Sequence, residues 1–162
     1  MKLGVAPKRT RSHVAVLKGG LSAEREVCLR SGAAVEEGLR GEGYPVTEND
    51  AGRDVAEVLA KLKPEACFNA LHGQFGEDGC LQGILELLEI PYTHSGVLAS
   101  SLAMHKERAK DIMKANGVPV AEAKLVTREE ALRAHALPPP YVVKPVAEGS
   151  SVGVVIVAPG AE

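Results

Sequence analysis

Short apolar runs alternate with amphipathic stretches along the first hundred residues. His13–Leu17 is a compact β-type run that meets Gly19 and Gly20. Ser22 then opens a helical stretch to about Arg40, and its hydroxyl is expected to cap that helix by accepting a first-turn N–H. Val27, Ala34, Val35, Gly38 and Leu39 are expected on one side of the helix, and Glu36, Glu37 and Arg40 on another. Gly41 and Gly43 end it. Tyr44–Thr47 reads as a second strand. Val55, Val58, Leu59 and Leu62 follow with helical spacing, and Pro64 closes that helix. Ala66–Leu71 is a third strand, and Leu81, Ile84, Leu85 and Leu88 repeat the helical stripe. Pro91–Thr93 is short, but its place in the alternation makes it a fourth strand. Alternating strands and helices at this spacing predict a parallel sheet with helices on its faces.

The pattern changes near residue 100. Ser95–Met104 leads into a helix over about 107–116, ended by Asn116-Gly117 with Pro119 beyond. Glu122–Thr127 predicts a strand and Arg128–Ala134 a short helix. Pro138-Pro139-Pro140 is a stiff connector that is not helical. Tyr141–Pro145 and Val152–Val157 predict a hairpin around the small polar loop Ala147–Ser151.

Composition narrows the class. The chain has 162 residues, 45% of them hydrophobic and 25% charged, which excludes a disordered, collagen-like or coiled-coil chain. No apolar run approaches the roughly 18 residues of a membrane helix, so no membrane partner is expected. A net charge of -2 with three Tyr, two Phe and no Trp gives no footing for nucleic acid. Lys8, Arg9 and Arg11 lie in an expected solvated arm over residues 1–12, and no apolar signal segment follows them. The cysteines Cys28, Cys67 and Cys80 are odd in number and form no C-x-x-C pair, so disulfides and structural zinc are not expected. The cytosol is the expected compartment, with Cys28 and Cys67 as small buried apolar residues.

Three segments could carry chemistry, all on loops. Gly19–Glu26 follows the first strand, where glycines let a ligand approach backbone at a helix N-terminus. Neither G-x-G-x-x-G nor G-x-x-x-x-G-K-[ST] occurs. On spacing alone Glu24 reads as a first-turn carboxylate that complements the helix dipole. Ala70–Gly79 follows the third strand, at the edge where open α/β sheets bind ligands. His72 there reads as a donor to a carboxylate or phosphate oxygen, or as a histidine satisfying its neighbours; Asp78 reads as an N-cap. Lys144 with Glu148–Gly153 combines a charge, two hydroxyls and exposed N–H groups. It reads as a loop that closes over phosphoryl oxygens, or as a plain hairpin turn. His13, His72, His94, His105 and His135 show no metal-ligand spacing, and no G-x-S-x-G nucleophile is present.

Taken in order, these loops resemble those of the D-alanine–D-alanine ligases. The matching segments are Val16–Val27, Ala70–Gly73, Gly76–Gly79, Leu81–Gly83, Pro91–Thr93 with Ser95–Val97, Met104 with Lys106, Val143–Pro145, and Glu148–Gly153. The resemblance runs from about residue 13 to the last residue. It departs at His105, where Asp is usual beside the lysine, at His94, where glycine is common, and at Cys28 and Cys80, where hydroxyl residues are frequent.

The resemblance implies an α/β fold: an N-terminal Rossmann-like, pre-ATP-grasp domain over 13–104, then the first part of an ATP-grasp α+β domain over 105–162. It implies ATP-dependent ligation of two D-alanines through an acyl phosphate, for peptidoglycan synthesis, with ATP and Mg²⁺ (or Mn²⁺) as cofactors. Glu24 would hold the ammonium of the first D-alanine, and His72 would lie near its carboxylate. Ser150 would join a hydrogen-bonded group with Glu24. Lys106, Lys144 and Glu148 would serve the nucleotide phosphates, and the Ser151 backbone would close over them. Metal ligands are expected in the family's second half, as are the adenine pocket and the residues that select the second substrate. The expectation is therefore a truncated ligase, inactive alone, whose parent forms a cytoplasmic homodimer. Alternatives are a ligase joining D-alanine to D-lactate or D-serine, and a non-catalytic ligand-binding fragment.

Overall fold

The structure, a computed structural model, describes residues 11–149 and 151–160. Lys8, Arg9 and Ser150 lie outside the described residues. The chain runs β1 (Val14–Lys18), α1 (Arg25–Gly41), β2 (Val46–Asp50), α2 (Val55–Leu62), β3 (Ala66–Asn69), α3 (Cys80–Leu87) and α4 (Val97–Met104). It continues through α5 (Lys106–Ala115), α6 (Arg128–Arg133), β4 (Tyr141–Val143) and β5 (Val155–Val157).

The first three strands form the expected parallel sheet in the order β2-β1-β3, with Val14 opposite both Val46 and Ala66. β1 is central. Val14, Ala15, Val16 and Leu17 are all buried, which is why this strand reads as an unbroken apolar run. Leu59 from α2 and Leu81 and Leu85 from α3 complete one core with Leu17, Cys28, Cys67 and Leu71. Arg11 lies at the sheet's start: its guanidinium stacks over Tyr44 at 4.6 Å and donates to that hydroxyl at 3.0 Å.

Four expectations change. The α1 helix begins at Arg25 and not at Ser22; Glu24 is its N-cap residue. Ser22 is used earlier, in the turn, where its Oγ accepts the Glu24 N–H at 3.2 Å. The inward face of α1 is Cys28 and Gly32, whereas Val27, Ala34 and Gly38 are exposed. That register follows from the sheet: α1 packs where Gly32 lies against the stem of Lys18, so close that a Cβ would overlap it. Lys18 reaches on to Glu36 at 2.9 Å and to Glu48. The fourth strand reduces to one parallel bridge, Cys67 to Tyr92. Glu122–Thr127 is not a strand, because no strand among the described residues pairs with it.

Beyond residue 96 the expected helices and hairpin form, with the hairpin strands shortened to Tyr141–Val143 and Val155–Val157, but they are thinly packed. Thr127 and Glu130 form a capping box on α6, a reciprocal pairing that holds a six-residue helix. β4 and β5 pair antiparallel, with Tyr141 opposite Val157. Neither α5 nor α6 buries a residue, and Leu132 and Ile156 are 80% and 76% exposed. The core therefore belongs to residues 14–92.

This division is measurable. Leu85→Ala, at a fully buried site, is expected to cost about 2–5 kcal/mol of unfolding free energy through lost contacts and a cavity. Leu132→Ala is expected to stay within about 0.5 kcal/mol. Urea unfolding followed by circular dichroism checks both.

Candidate functional site

Parallel topology brings the loops after β1, β2 and β3 to one edge of the sheet. The loop after β1 turns at Gly19 and Gly20, both with left-handed φ. It is clamped from β2. The Arg25 guanidinium meets both Asp50 carboxylate oxygens at 2.7 and 2.5 Å and donates to the Gly20 carbonyl at 3.1 Å. Asp50 Oδ1 also accepts the Gly20 N–H at 3.3 Å. The guanidinium holds the Asp50 carboxyl below the usual carboxylate range, and Asp50 in turn raises Arg25.

Ser22 joins this loop to the one after β3. Its hydroxyl donates to the His72 carbonyl at 2.8 Å. The His72 N–H donates to Cys28 Sγ at 3.1 Å, and the ring nitrogen Nε2 lies 3.4 Å from Ser31 Oγ. Cys28 is fully buried, and burial pushes its thiol up, so it packs and accepts here.

Glu24 sits where these loops meet. It is 6% exposed, and neither carboxylate oxygen has a hydrogen-bond partner among the described residues. Its walls are glycines. A Cβ on Gly73 would lie 2.6 Å from Glu24 Oε2, and one on Gly149 would lie 3.0 Å from it. Gly73 also holds φ +71°, so both space and backbone require glycine there. Its N–H donates to Glu77 Oε2 at 2.6 Å. Asp78 is one residue short of the expected cap position. Gly79 is the N-cap of α3, while Asp78 accepts the Phe75 and Cys80 N–H groups at 2.9 and 3.0 Å.

The second half of the site is the loop after β4. Lys106, the first residue of α5, donates from Nζ to the Glu148 carbonyl at 2.5 Å and from its backbone to the Val146 carbonyl at 3.1 Å. His105 caps α5, its Nδ1 accepting the Arg108 N–H, a task that the aspartate usual there would share. Lys106, Glu148 and Gly149 line an open cleft of about 490 Å³ with Glu77, Gln82 and His94. Ser22 and His72 also border a second, apolar cleft floored by Val55, Leu71 and Leu81.

The structure thus brings Gly73 and Gly149 against Glu24, ties the His72 backbone to Ser22 with its ring near Ser31, and ties Lys106 to Glu148. Lys144 is exposed directly after β4, and Ser151 is exposed with φ +64°. Ser150 lies between described neighbours but outside the description. Sequence reading did not single out Asp50, Asn69 or Glu77. Asp50 closes β2 and Asn69 closes β3, so polar residues at strand ends were the available signal. No group of three His, Cys, Asp or Glu among the described residues is arranged to hold a metal ion.

Three parallel strands flanked by helices, with a buried carboxylate at the C-terminal edge, make a mixed α/β domain of the pre-ATP-grasp type. The family model described as "D-ala D-ala ligase N-terminus" matches residues 48–95. The chain is 66% identical, over 91% of its length, to a D-alanine–D-alanine ligase of Parvibaculum lavamentivorans, of which it covers 48%. It superposes on a solved D-alanine–D-alanine ligase of Bacillus anthracis with a TM-score of 0.74 and 31% identity, covering 91% of this chain and 49% of that one. The Bacillus anthracis ligase complexed with ATP is also similar, at TM-score 0.68 and 28% identity, with 92% of this chain and 51% of that one covered. Over about nine-tenths of its length the chain is similar to the N-terminal half of D-alanine–D-alanine ligases, and it spans about half the length of the curated relatives it matches.

The Arg25–Asp50 clamp has a pH signature. Asp50 is depressed in the folded state, so its contribution is complete above the ordinary carboxylate value and is lost as pH falls through the lowered one. Asp50→Asn is expected to lower stability at neutral pH and to flatten the fall in stability between about pH 5 and pH 2. Thermal unfolding across that range measures it.

Proposed function

We propose that this chain supplies the amino-acid site and part of the nucleotide site of an ATP-dependent ligase that joins two D-alanines for peptidoglycan synthesis. The observation that carries this reading is the Glu24 carboxylate, nine-tenths buried with both oxygens unpartnered among the described residues. A carboxylate kept from water is costly unless a cation meets it. The N-terminus of α1 offsets part of that cost, and a substrate ammonium supplies the rest through charge-assisted hydrogen bonds. Glycines at 73 and 149 let two backbone segments approach Glu24 Oε2, where a Cβ would collide with it.

On this reading His72 serves the substrate carboxylate, and the resemblance assigns Ser150 to the group at Glu24. ATP supplies the phosphoryl group that makes a carboxylate a good electrophile. The lysines at 106 and 144 neutralise its phosphates, Glu148 sets the Lys106 ammonium through its carbonyl, and the Ser151 backbone closes over them. No cluster among the described residues fits magnesium. The domain division at about residue 104 belongs to this reading. It is supported by the change from a packed core to exposed apolar faces on α6 and β5. A cytoplasmic homodimer is the assembly that goes with it.

The test is a fusion of this chain to the C-terminal half of the Parvibaculum lavamentivorans relative. The fusion is expected to release phosphate from ATP only when D-alanine is present, with D-alanyl-D-alanine as product. Glu24→Gln keeps the shape and removes the charge. It is expected to raise the D-alanine concentration needed by about 10- to 100-fold, the worth of a charged hydrogen bond. D-alanine-independent release, or a Glu24→Gln fusion that uses D-alanine as well as its parent, overturns the reading.

A further inference from the structure

The β3 strand loses its outer neighbour at Thr93 and His94. Up to that point the pairing is ordinary parallel backbone: Cys67 N–H donates to the Pro91 carbonyl at 2.8 Å and Thr93 N–H to the Cys67 carbonyl at 3.1 Å. His94 then takes φ +87°, and the chain turns away before it reaches Asn69. Side chains finish the ladder. Thr93 Oγ1 accepts the Asn69 N–H at 3.0 Å, and His94 Nε2 lies 2.5 Å from the Asn69 carbonyl oxygen. The partner is a carbonyl, so Nε2 carries the proton. The ring also stands edge-on to Phe68, 6.5 Å between centroids.

Asn69 passes this hold forward. It is 1% exposed. Its Oδ1 accepts the Leu71 N–H at 3.0 Å, and its Nδ2 donates to the Gly76 carbonyl at 2.8 Å, where Gln82 Nε2 also donates at 2.9 Å. These bonds fold the 70–76 loop back on itself and set Gly73 against Glu24. A residue with a Cβ is disfavoured at φ +87°. The chain keeps a histidine there whose ring does what a glycine could not.

We propose that His94 is a positioning residue: its ring completes the β3 ladder at the Asn69 carbonyl and so holds the 70–76 loop, with His72 and Gly73, against Glu24. Its bearing on D-alanine rests on the reading of Glu24 given above. Glycine suits the φ of this position, so His94→Gly keeps the backbone path and removes only the ring. In the ¹⁵N-labelled 162-residue chain, His94→Gly is expected to speed amide exchange at Leu71 and Gly73 about fivefold, the factor that one intramolecular hydrogen bond contributes. Val16 and Leu17 in the core are expected to exchange as before. His94→Gln, whose amide can donate to the same carbonyl, is expected to restore much of the protection. Unchanged exchange at Leu71 and Gly73, or a rise shared equally by Val16 and Leu17, overturns the proposal. In the fusion, His94→Gly is expected to raise KM for D-alanine severalfold with a smaller change in kcat, and an unchanged KM also overturns it. The exchange measurement needs no turnover. A fusion inactive with every variant therefore counts against the ligase reading, while His94 is still judged.

Discussion

A carboxylate held away from water at the first turn of a helix organises the edge of this sheet. Glu24 has the α1 N-terminus behind it and, among the described residues, no donor in front of it. The dipole of one helix offsets only part of the cost of burying that charge. The neighbouring loops are built to keep the carboxylate in place all the same. Ser22 binds the Glu24 N–H on one side and the His72 carbonyl on the other. Arg25 and Asp50 clamp the glycines that lead into it. Glycines stand at 73 and 149 because any larger residue would occupy the space beside Oε2. Burying a carboxylate in this way costs folding stability, a cost that the proposed ligand contact would offset.

Packing density divides the molecule unevenly. Residues 14–92 hold the core, and the later helices and hairpin rest on caps, turns and a few links such as Lys106 to the loop after β4. Elements with few buried apolar contacts open at lower free energy than a core strand does. The loop that carries Glu148, Gly149 and Ser151 belongs to this less tightly held part, while Glu24 and His72 belong to the firm part. In the proposed ligase, Glu24 and His72 would orient a small amino acid opposite the loop that serves the phosphates, an arrangement that suits a reaction in which positioning and charge neutralisation dominate.

The edge of β3 shows how a sheet can stop without leaving polar groups bare. Backbone pairing ends after one bridge, and two side chains take the next donor and acceptor. Asn69 has every polar group engaged, as a nearly fully buried residue requires. The same residue then shapes the loop that faces Glu24, so the end of the sheet and the wall of the site are one hydrogen-bonded unit.

Periodicity alone determined much of this protein. The helical stripe at Val55, Val58, Leu59 and Leu62, the apolar run at β1, the helix ending at Asn116-Gly117 and the hairpin at β4 and β5 all stand where the residue pattern places them, because burial selects for pattern locally. The candidate loops were legible too, as glycines and polar residues directly after strands. What the tertiary structure alone decided was register and convergence. The inward face of α1 is Cys28 and Gly32 because that helix must clear Lys18, a neighbour in space and not in sequence. Pro91–Thr93 makes one bridge because His94 turns the chain. Glu122–Thr127 has strand-like residues and no partner, and a strand exists only through its partner. Glu24 shows the same division: its spacing marks a helix start, but its burial and its unpartnered oxygens arise only when three loops distant in sequence close around it.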